Sequence, residues 1–129
     1  MRILIIDDDP QFLNMLVWMV ESAGHEVVSA HNGDRGLAEF ANGDFQLVIT
    51  DILMPDKDGV ETIQSIRTIS PKTPIIAMSG GYSQSANSFI GLTVAERLGA
   101  YKVLEKPFEK EQLLEAIKIA EDKLSGEQL

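Results

Sequence analysis

Four short apolar runs in this chain each lead into residues able to do chemistry. Ile3-Leu4-Ile5-Ile6 leads into Asp7-Asp8-Asp9, and Leu47-Val48-Ile49-Thr50 leads into Asp51. Ile75-Ile76-Ala77-Met78 leads into Ser79, and Val103-Leu104-Glu105 into Lys106-Pro107. Two carboxylates about 4 Å apart repel by roughly 4 kcal/mol at an effective dielectric of 20. Several in one crevice raise their own pKa values unless a cation relieves them. Oxygen-only ligands favour Mg2+, Mn2+ or Ca2+ over zinc, and Mg2+ keeps waters and phosphate oxygens beside one or two carboxylates. Lys106 adds a positive charge and Ser79 a hydroxyl donor. Such a set suits a carboxylate that attacks phosphorus to give an aspartyl-phosphate. Cation, ammonium and hydroxyl would then stabilise the charge of phosphoryl transfer. A single strand-end aspartate is more often a helix cap or turn former; the chemical reading rests on the joint set.

The set assembles only if the runs are parallel strands ending at one sheet edge, where open α/β sheets place their sites. These runs, with Val27-Val28 as a fifth, are continuous rather than alternating, as strands covered on both faces should be. Helical patterns lie between them. Pro10 suits the first turn of a helix that Gly24 ends. Gly33 to Ala41 carries Leu37, Phe40 and Ala41 on one side, and Val60, Ile63 and Ile66 repeat at helical spacing after Asp58, a good N-cap. Ala86 to Leu98 fits a fourth helix, and Leu113, Ile117, Ala120 and Leu124 mark a fifth. Repeated strand–helix alternation predicts a parallel sheet with helices on both faces. Right-handed crossovers then favour a flavodoxin-like (βα)5 doubly wound sheet of strand order 2-1-3-4-5. Its switch point lies between strands 1 and 3, the strands that end in Asp7, Asp8 and Asp51. The domain is expected to span residues 1–124, with a short polar tail over 125–129.

Composition narrows the function classes. The chain has 129 residues, 44% hydrophobic and 24% charged, enough for one domain with a sizeable core. A net charge of −9 disfavours direct nucleic-acid binding, which wants a basic face. The absence of cysteine excludes disulfides, thiolate metal sites and thiol nucleophiles. Only four apolar residues precede the aspartates at the start, too few for a signal sequence, and no segment could span a membrane, so the expected compartment is the cytoplasm.

Ile5-Ile6-Asp7-Asp8-Asp9-Pro10, Val48-Ile49-Thr50-Asp51-Ile52-Leu53-Met54-Pro55 with Gly59, Met78-Ser79-Gly80 and Lys106-Pro107-Phe108 arrive in an order and spacing that resemble a response-regulator receiver domain of two-component signalling. The resemblance covers essentially the whole chain. It implies that Asp51 is the phosphoacceptor of a phosphorelay. Asp8, Asp51 and the backbone carbonyl of Leu53 would bind Mg2+ (or Mn2+), with Asp7 acting mainly through water. Lys106 would pair with phosphoryl oxygens, and Ser79 would move inward to hydrogen-bond the phosphoryl group. The donor would be a phosphohistidine on a sensor histidine kinase or a histidine phosphotransfer protein. Output would pass from this stand-alone module, not itself an enzyme, to a downstream protein partner. The Lys106-Pro107 peptide would be cis, against a base rate of ~5–6% of X–Pro bonds. Asp9 is expected to cap the first helix.

The chain departs from the family pattern in several places. Val103 stands where an aromatic residue often follows the hydroxyl movement, so switching through an aromatic flip is not expected. Tyr101 and Tyr82 are read as ordinary surface packing. The segment Ser79 to Gly99 is longer than usual, and Gly80 to Ser85 has little to hold it rigid, so a mobile loop is expected beside the site. Leu53 and Gly81 cannot orient a water with their side chains, which implies slow self-dephosphorylation. In the first helix, Phe12, Met15, Leu16, Met19 and Ala23 are expected to face the sheet. Leu13, Val17 and Trp18 are then left over, and two readings stand side by side: an apolar patch near where a phosphohistidine bundle docks in the family, or deeper burial under the fifth helix.

Other readings are weaker. Asp56-Lys57-Asp58-Gly59 hints at a calcium loop, but its last ligand position falls on Ser65 rather than glutamate. His25 and His31 are read as surface residues. A haloacid-dehalogenase-like phosphohydrolase could use Asp7-Asp8-Asp9, Ser79 and Lys106, yet it wants an acidic pair after the lysine and more chain for a cap. An inactive receiver scaffold is a third reading, but no expected pocket residue is missing.

Overall fold

The computed structural model describes residues 1–52, 59–79, 97 and 99–127. Five parallel strands, β1 (Arg2–Ile6), β2 (Glu26–Ala30), β3 (Leu47–Asp51), β4 (Ile75–Ser79) and β5 (Lys102–Glu105), form one sheet in the order β2-β1-β3-β4-β5. The described helices are α1 (Pro10–Ser22), α2 (Gly33–Asn42), α3 (Gly59–Ile69) and α4 (Lys110–Glu127). This is the doubly wound, flavodoxin-like arrangement that the alternation of apolar runs and helical patterns predicts. The helix expected over Ala86 to Leu98, the Asp58 cap and the loop expected to be mobile lie outside the described residues. The final helix runs past Leu124 to Glu127, so Ser125 to Glu127 is helical rather than tail.

Every residue of β3 and β4 is buried, which is why both runs are apolar without alternation. The edge strands β2 and β5 keep Glu26, Ser29, Lys102 and Glu105 exposed. The core has two layers, one on each face of the sheet. Ile3 and Ile5 pack with Leu13, Leu16 and Val20 of α1 and with Leu113, Ala116, Ile117 and Ala120 of α4. Leu4 and Ile6 face the other way, towards Phe40 of α2 and Ile63 and Ile66 of α3.

The buried face of α1 differs from the one expected. Leu13, Leu16 and Val20 are buried, whereas Met15 and Trp18 are 40% and 64% exposed and Ala23 is exposed. The helix is apolar almost all round, so spacing alone does not choose its phase. The turn after β1 chooses it: the Asp9 side chain accepts the Gln11 and Phe12 amides at 3.0 and 3.3 Å, with Pro10 in the first turn. At the far end, Gly24 takes φ +97°, a left-handed conformation that suits glycine.

Two ties were not foreseen. Tyr101, expected to pack at the surface, is half-buried, and its hydroxyl donates to the Ala116 carbonyl of α4. Arg67, in the last turn of α3, donates to the carbonyls of Ser70, Pro71 and Thr73 in the following turn and to Gly99 before β5. His25 is half-buried, its Nδ1 lying 3.1 Å from the Met1 nitrogen, while His31 is exposed.

Candidate functional site

The polar ends of the strands meet at the carboxyl edge of the sheet. Asp51 and Ser79 are the last residues of β3 and β4; Asp7 follows β1 directly and Lys106 follows β5. The registers align these ends, with Ile6 opposite Thr50, Asp51 opposite Met78 and Ser79 opposite Glu105. The ladder continues into the loops, because the Lys106 amide donates to the Ser79 carbonyl at 2.9 Å and the Ile52 amide to the Met78 carbonyl at 2.8 Å. The Thr50 hydroxyl donates to the Asp51 carbonyl at 3.1 Å.

Asp7, Asp51 and Ser79 are buried, 0%, 4% and 2% exposed, while Asp8 faces solvent. Asp7, Asp8 and Asp51 each offer a carboxylate oxygen within 4.8 Å of the others. Lys106 Nζ donates to Asp7 Oδ2 at 2.8 Å and to Asp51 Oδ2 at 3.1 Å. Asp7 is also held by its own turn, its Oδ1 accepting the Asp9 amide at 2.9 Å. The Lys106-Pro107 peptide is cis, as the resemblance implies.

Charge explains what this cluster can hold. Among the described residues, three carboxylates against one ammonium leave two formal negative charges, with Asp7 and Asp51 buried and Asp8 at the mouth. Although Asp8 faces solvent, partial desolvation of its carboxyl and the neighbouring Asp7 and Asp9 charges raise it above its ordinary range, against a backbone hydrogen bond and the Lys106 charge that lower it. Burial alone would lower the Lys106 ammonium, but its bond to Asp7 and the charges of Asp51 and Asp7 outweigh burial and raise it. An all-oxygen donor set with a net negative charge among the described residues fits a hard divalent cation.

α3 approaches the site closely. The Gly59 amide donates to the Ile52 carbonyl at 2.5 Å, and a Cβ at Gly59 would overlap the Asp51 carbonyl oxygen and Ile52 Cα. The Leu53 carbonyl, the remaining expected metal ligand, lies outside the described residues, as do Gly81 and Tyr82. One neighbour of the site escaped the sequence reading: the Phe12 ring lies 4.2 Å from Lys106 Nζ. Its one signal is an aromatic residue in the first turn of the helix that follows the acids.

A family model for the response regulator receiver domain matches residues 3–118. The chain belongs to this family. Receiver domains of two-component systems work with a histidine kinase or a phosphotransfer partner, and this receiver keeps the acidic pocket they use for Mg2+. It is similar to a CheY-like receiver domain protein from Methanospirillum hungatei, with a TM-score of 0.88 and 32% identity over 98% of this chain and 97% of that one. It is also similar to the Vibrio cholerae chemotaxis protein CheY4, with a TM-score of 0.81 and 27% identity over 92% and 97% of the two chains.

Among curated relatives, the receiver is 33% identical over 119 residues to the transcriptional regulatory protein YkoG of Bacillus subtilis, covering 92% of this chain and 50% of YkoG. It is 34% identical over 118 residues to the DNA-binding transcriptional regulator NtrC of Azospirillum brasilense, covering 92% of this chain and 24% of NtrC. The receiver therefore spans half or less of the length of these relatives. No helix among the described residues is long and apolar enough to cross a membrane.

Proposed function

We propose that this receiver accepts a phosphoryl group on Asp51 from a phosphohistidine, in a Mg2+-dependent transfer, and that the phosphorylated form changes affinity for a partner protein. The observation that carries this reading is the shared ammonium: Lys106 Nζ bridges Asp7 Oδ2 and Asp51 Oδ2 at 2.8 and 3.1 Å, at the edge where Asp8 and Ser79 also end.

The acids divide the work. Asp7 has an oxygen on the Asp9 amide and the other on Lys106, which suits a fixed charge better than a nucleophile. Asp9 spends its side chain capping α1, and this removes the acid–base partner that a haloacid-dehalogenase-like reading needs two residues after Asp7. Asp51 remains as the nucleophile. One of its carboxylate oxygens attacks phosphorus; the new O–P bond forms as the P–N bond to the imidazole breaks, and the imidazole nitrogen takes the electron pair. Lys106 follows the charge onto the phosphoryl oxygens, and the Ser79 hydroxyl donates to one of them. Asp8 and Asp51, with the Leu53 carbonyl and with Asp7 through water, are the groups proposed to hold Mg2+, which when bound offsets the charge of carboxylates and phosphoryl oxygens. Met15 and Trp18, exposed on α1, the helix that follows Asp7-Asp8-Asp9, offer the phosphohistidine donor an apolar surface.

Incubation with acetyl phosphate and Mg2+ tests this function. The expected result is about one phosphoryl group per chain at saturation, in line with a single acceptor carboxylate. Sustained turnover of a phosphoester without a labelled chain would support a hydrolase instead.

A further inference from the structure

Among the described residues, three side chains meet the Lys106 ammonium. Two are the carboxylates of Asp7 and Asp51. The third is the face of Phe12, whose ring centroid lies 4.2 Å from Nζ, well inside the range in which a ring quadrupole attracts a cation. The lysine side chain is only 14% exposed, so the ring covers a side of the ammonium that would otherwise meet water.

Phe12 is itself held in place. Its ring meets Phe108 edge to face, with centroids 5.7 Å apart and planes at 81°. Phe108 follows Lys106 by two residues, so the segment that carries the lysine also braces the ring that covers it. The Phe12 amide donates to the Asp9 side chain, and the Asp9 amide donates to Asp7. A single turn therefore sets both Asp7 and Phe12 against the same ammonium.

We propose that Phe12 is a positioning residue for phosphoryl transfer: its ring face holds the Lys106 ammonium between the acids, where the incoming phosphoryl oxygens arrive. The proposal rests on the reading of Asp51 as the acceptor. A lysine on a flexible four-carbon stem loses much rotamer freedom when fixed at one point. A ring that fixes it beforehand leaves less to organise in the transition state. When an Asp51 oxygen forms its bond to phosphorus and the donor leaves with the electron pair, Lys106 needs only a short shift from Asp51 Oδ2 to a phosphoryl oxygen. The ring stays on its other side throughout. An aliphatic side chain of similar volume would fill the space between α1 and Phe108 but would not attract the ammonium.

The test uses the full chain with Phe12→Leu and Phe12→Tyr. Leucine keeps an apolar side chain there and removes the ring, whereas tyrosine keeps the ring. The first readout needs no phosphorylation: the ε-methylene protons of Lys106 should show an upfield ring-current shift in NMR spectra of the wild type and of Phe12→Tyr, and lose it in Phe12→Leu. The second is the rate of labelling by acetyl phosphate at saturating Mg2+. Phe12→Leu should be slower by about three- to thirty-fold, the span of a cation–π contact of this kind, and Phe12→Tyr should stay within about two-fold of wild type on the same scale. Mg2+ affinity should match in all three chains, because the ring bears on the ammonium.

Several results would overturn the proposal. They are a Phe12→Leu chain that labels as fast as wild type, a Phe12→Tyr chain as slow as Phe12→Leu, or a Lys106 without the ring-current shift. A wild type that never labels would bring down the Asp51 reading, and this proposal with it. A labelled wild type with an indifferent Phe12→Leu would bring down this proposal alone.

Discussion

Lys106 Nζ lies 2.8 Å from Asp7 Oδ2, although 99 positions separate the two residues. The bond joins the exits of β1 and β5 across the carboxyl edge of the sheet, and Asp51 shares the same ammonium. Removing one partner of a buried ion pair costs about 3–5 kcal/mol, because the remaining charge stays buried and unpaired. Lys106→Ala should lose stability of that order in divalent-free buffer and recover part of it with Mg2+. Urea titrations with and without Mg2+ measure both. A variant as stable as wild type in divalent-free buffer would contradict the charge balance described for the site.

Gly59 makes a second prediction. Its Cα sits against the backbone of Asp51 and Ile52, where a Cβ has no room. Gly59→Ala must push α3 away from the end of β3, and should therefore lower both stability and the rate of acetyl-phosphate labelling. Gly126, in the last turn of α4, has nothing among the described residues within 4 Å of where its Cβ would lie. Gly126→Ala should leave labelling unchanged and gain up to about 1 kcal/mol of stability. Thermal unfolding and labelling of the two variants side by side separate crowding from helix propensity.

Alkaline titration probes Tyr101. Burial pushes its hydroxyl up from 10.0 to about 12. The folded state thus keeps a proton that the unfolded chain gives up, so this contribution to stability is whole below pH 10.0 and is lost as pH rises towards about 12. Tyr101→Phe removes the titrating group and should flatten the decline across that window. Urea midpoints measured at several alkaline pH values, with tyrosinate absorbance recorded in parallel, check it. A Tyr101→Phe chain with the same decline as wild type would place its cause elsewhere.

Trp18 is the single tryptophan of the chain and is 64% exposed, with Lys110 Nζ 5.7 Å from its ring. Its fluorescence should be solvent-like and readily quenched by acrylamide. Trp18→Ala should change stability by no more than about 0.5 kcal/mol, as at an ordinary surface position. If α1 receives the donor, the variant should slow transfer from a phosphohistidine protein while leaving acetyl-phosphate labelling intact. Equal slowing with both donors would point to damage at the site itself.

The fold was legible because β1, β3 and β4 are buried almost throughout, and burial on both faces writes itself as an uninterrupted apolar run. The ends of those runs were legible for the same reason: Asp7, Asp51 and Ser79 are the first polar side chains after the core, or the last within it. The phase of α1 was not. Leu13 and Met15 are equally apolar, and the choice between them was made by the Asp9 turn and the packing of Val20, not by spacing. Contacts with backbone also leave no trace in composition. Arg67 holds carbonyls of Ser70, Pro71, Thr73 and Gly99, and Tyr101 that of Ala116, so no complementary side chain announces either. The Phe12 ring reached Lys106 only through tertiary packing, since 94 positions separate them in the chain.

The most direct measurement is to find which carboxylate carries the phosphoryl group. The chain is labelled with acetyl phosphate and Mg2+, the acyl phosphate is reduced with borohydride, and the peptides are read by mass spectrometry. The expected outcome is modification at Asp51 alone, with none in Asp51→Asn. Modification at Asp7, or labelling that survives in Asp51→Asn, would contradict the account.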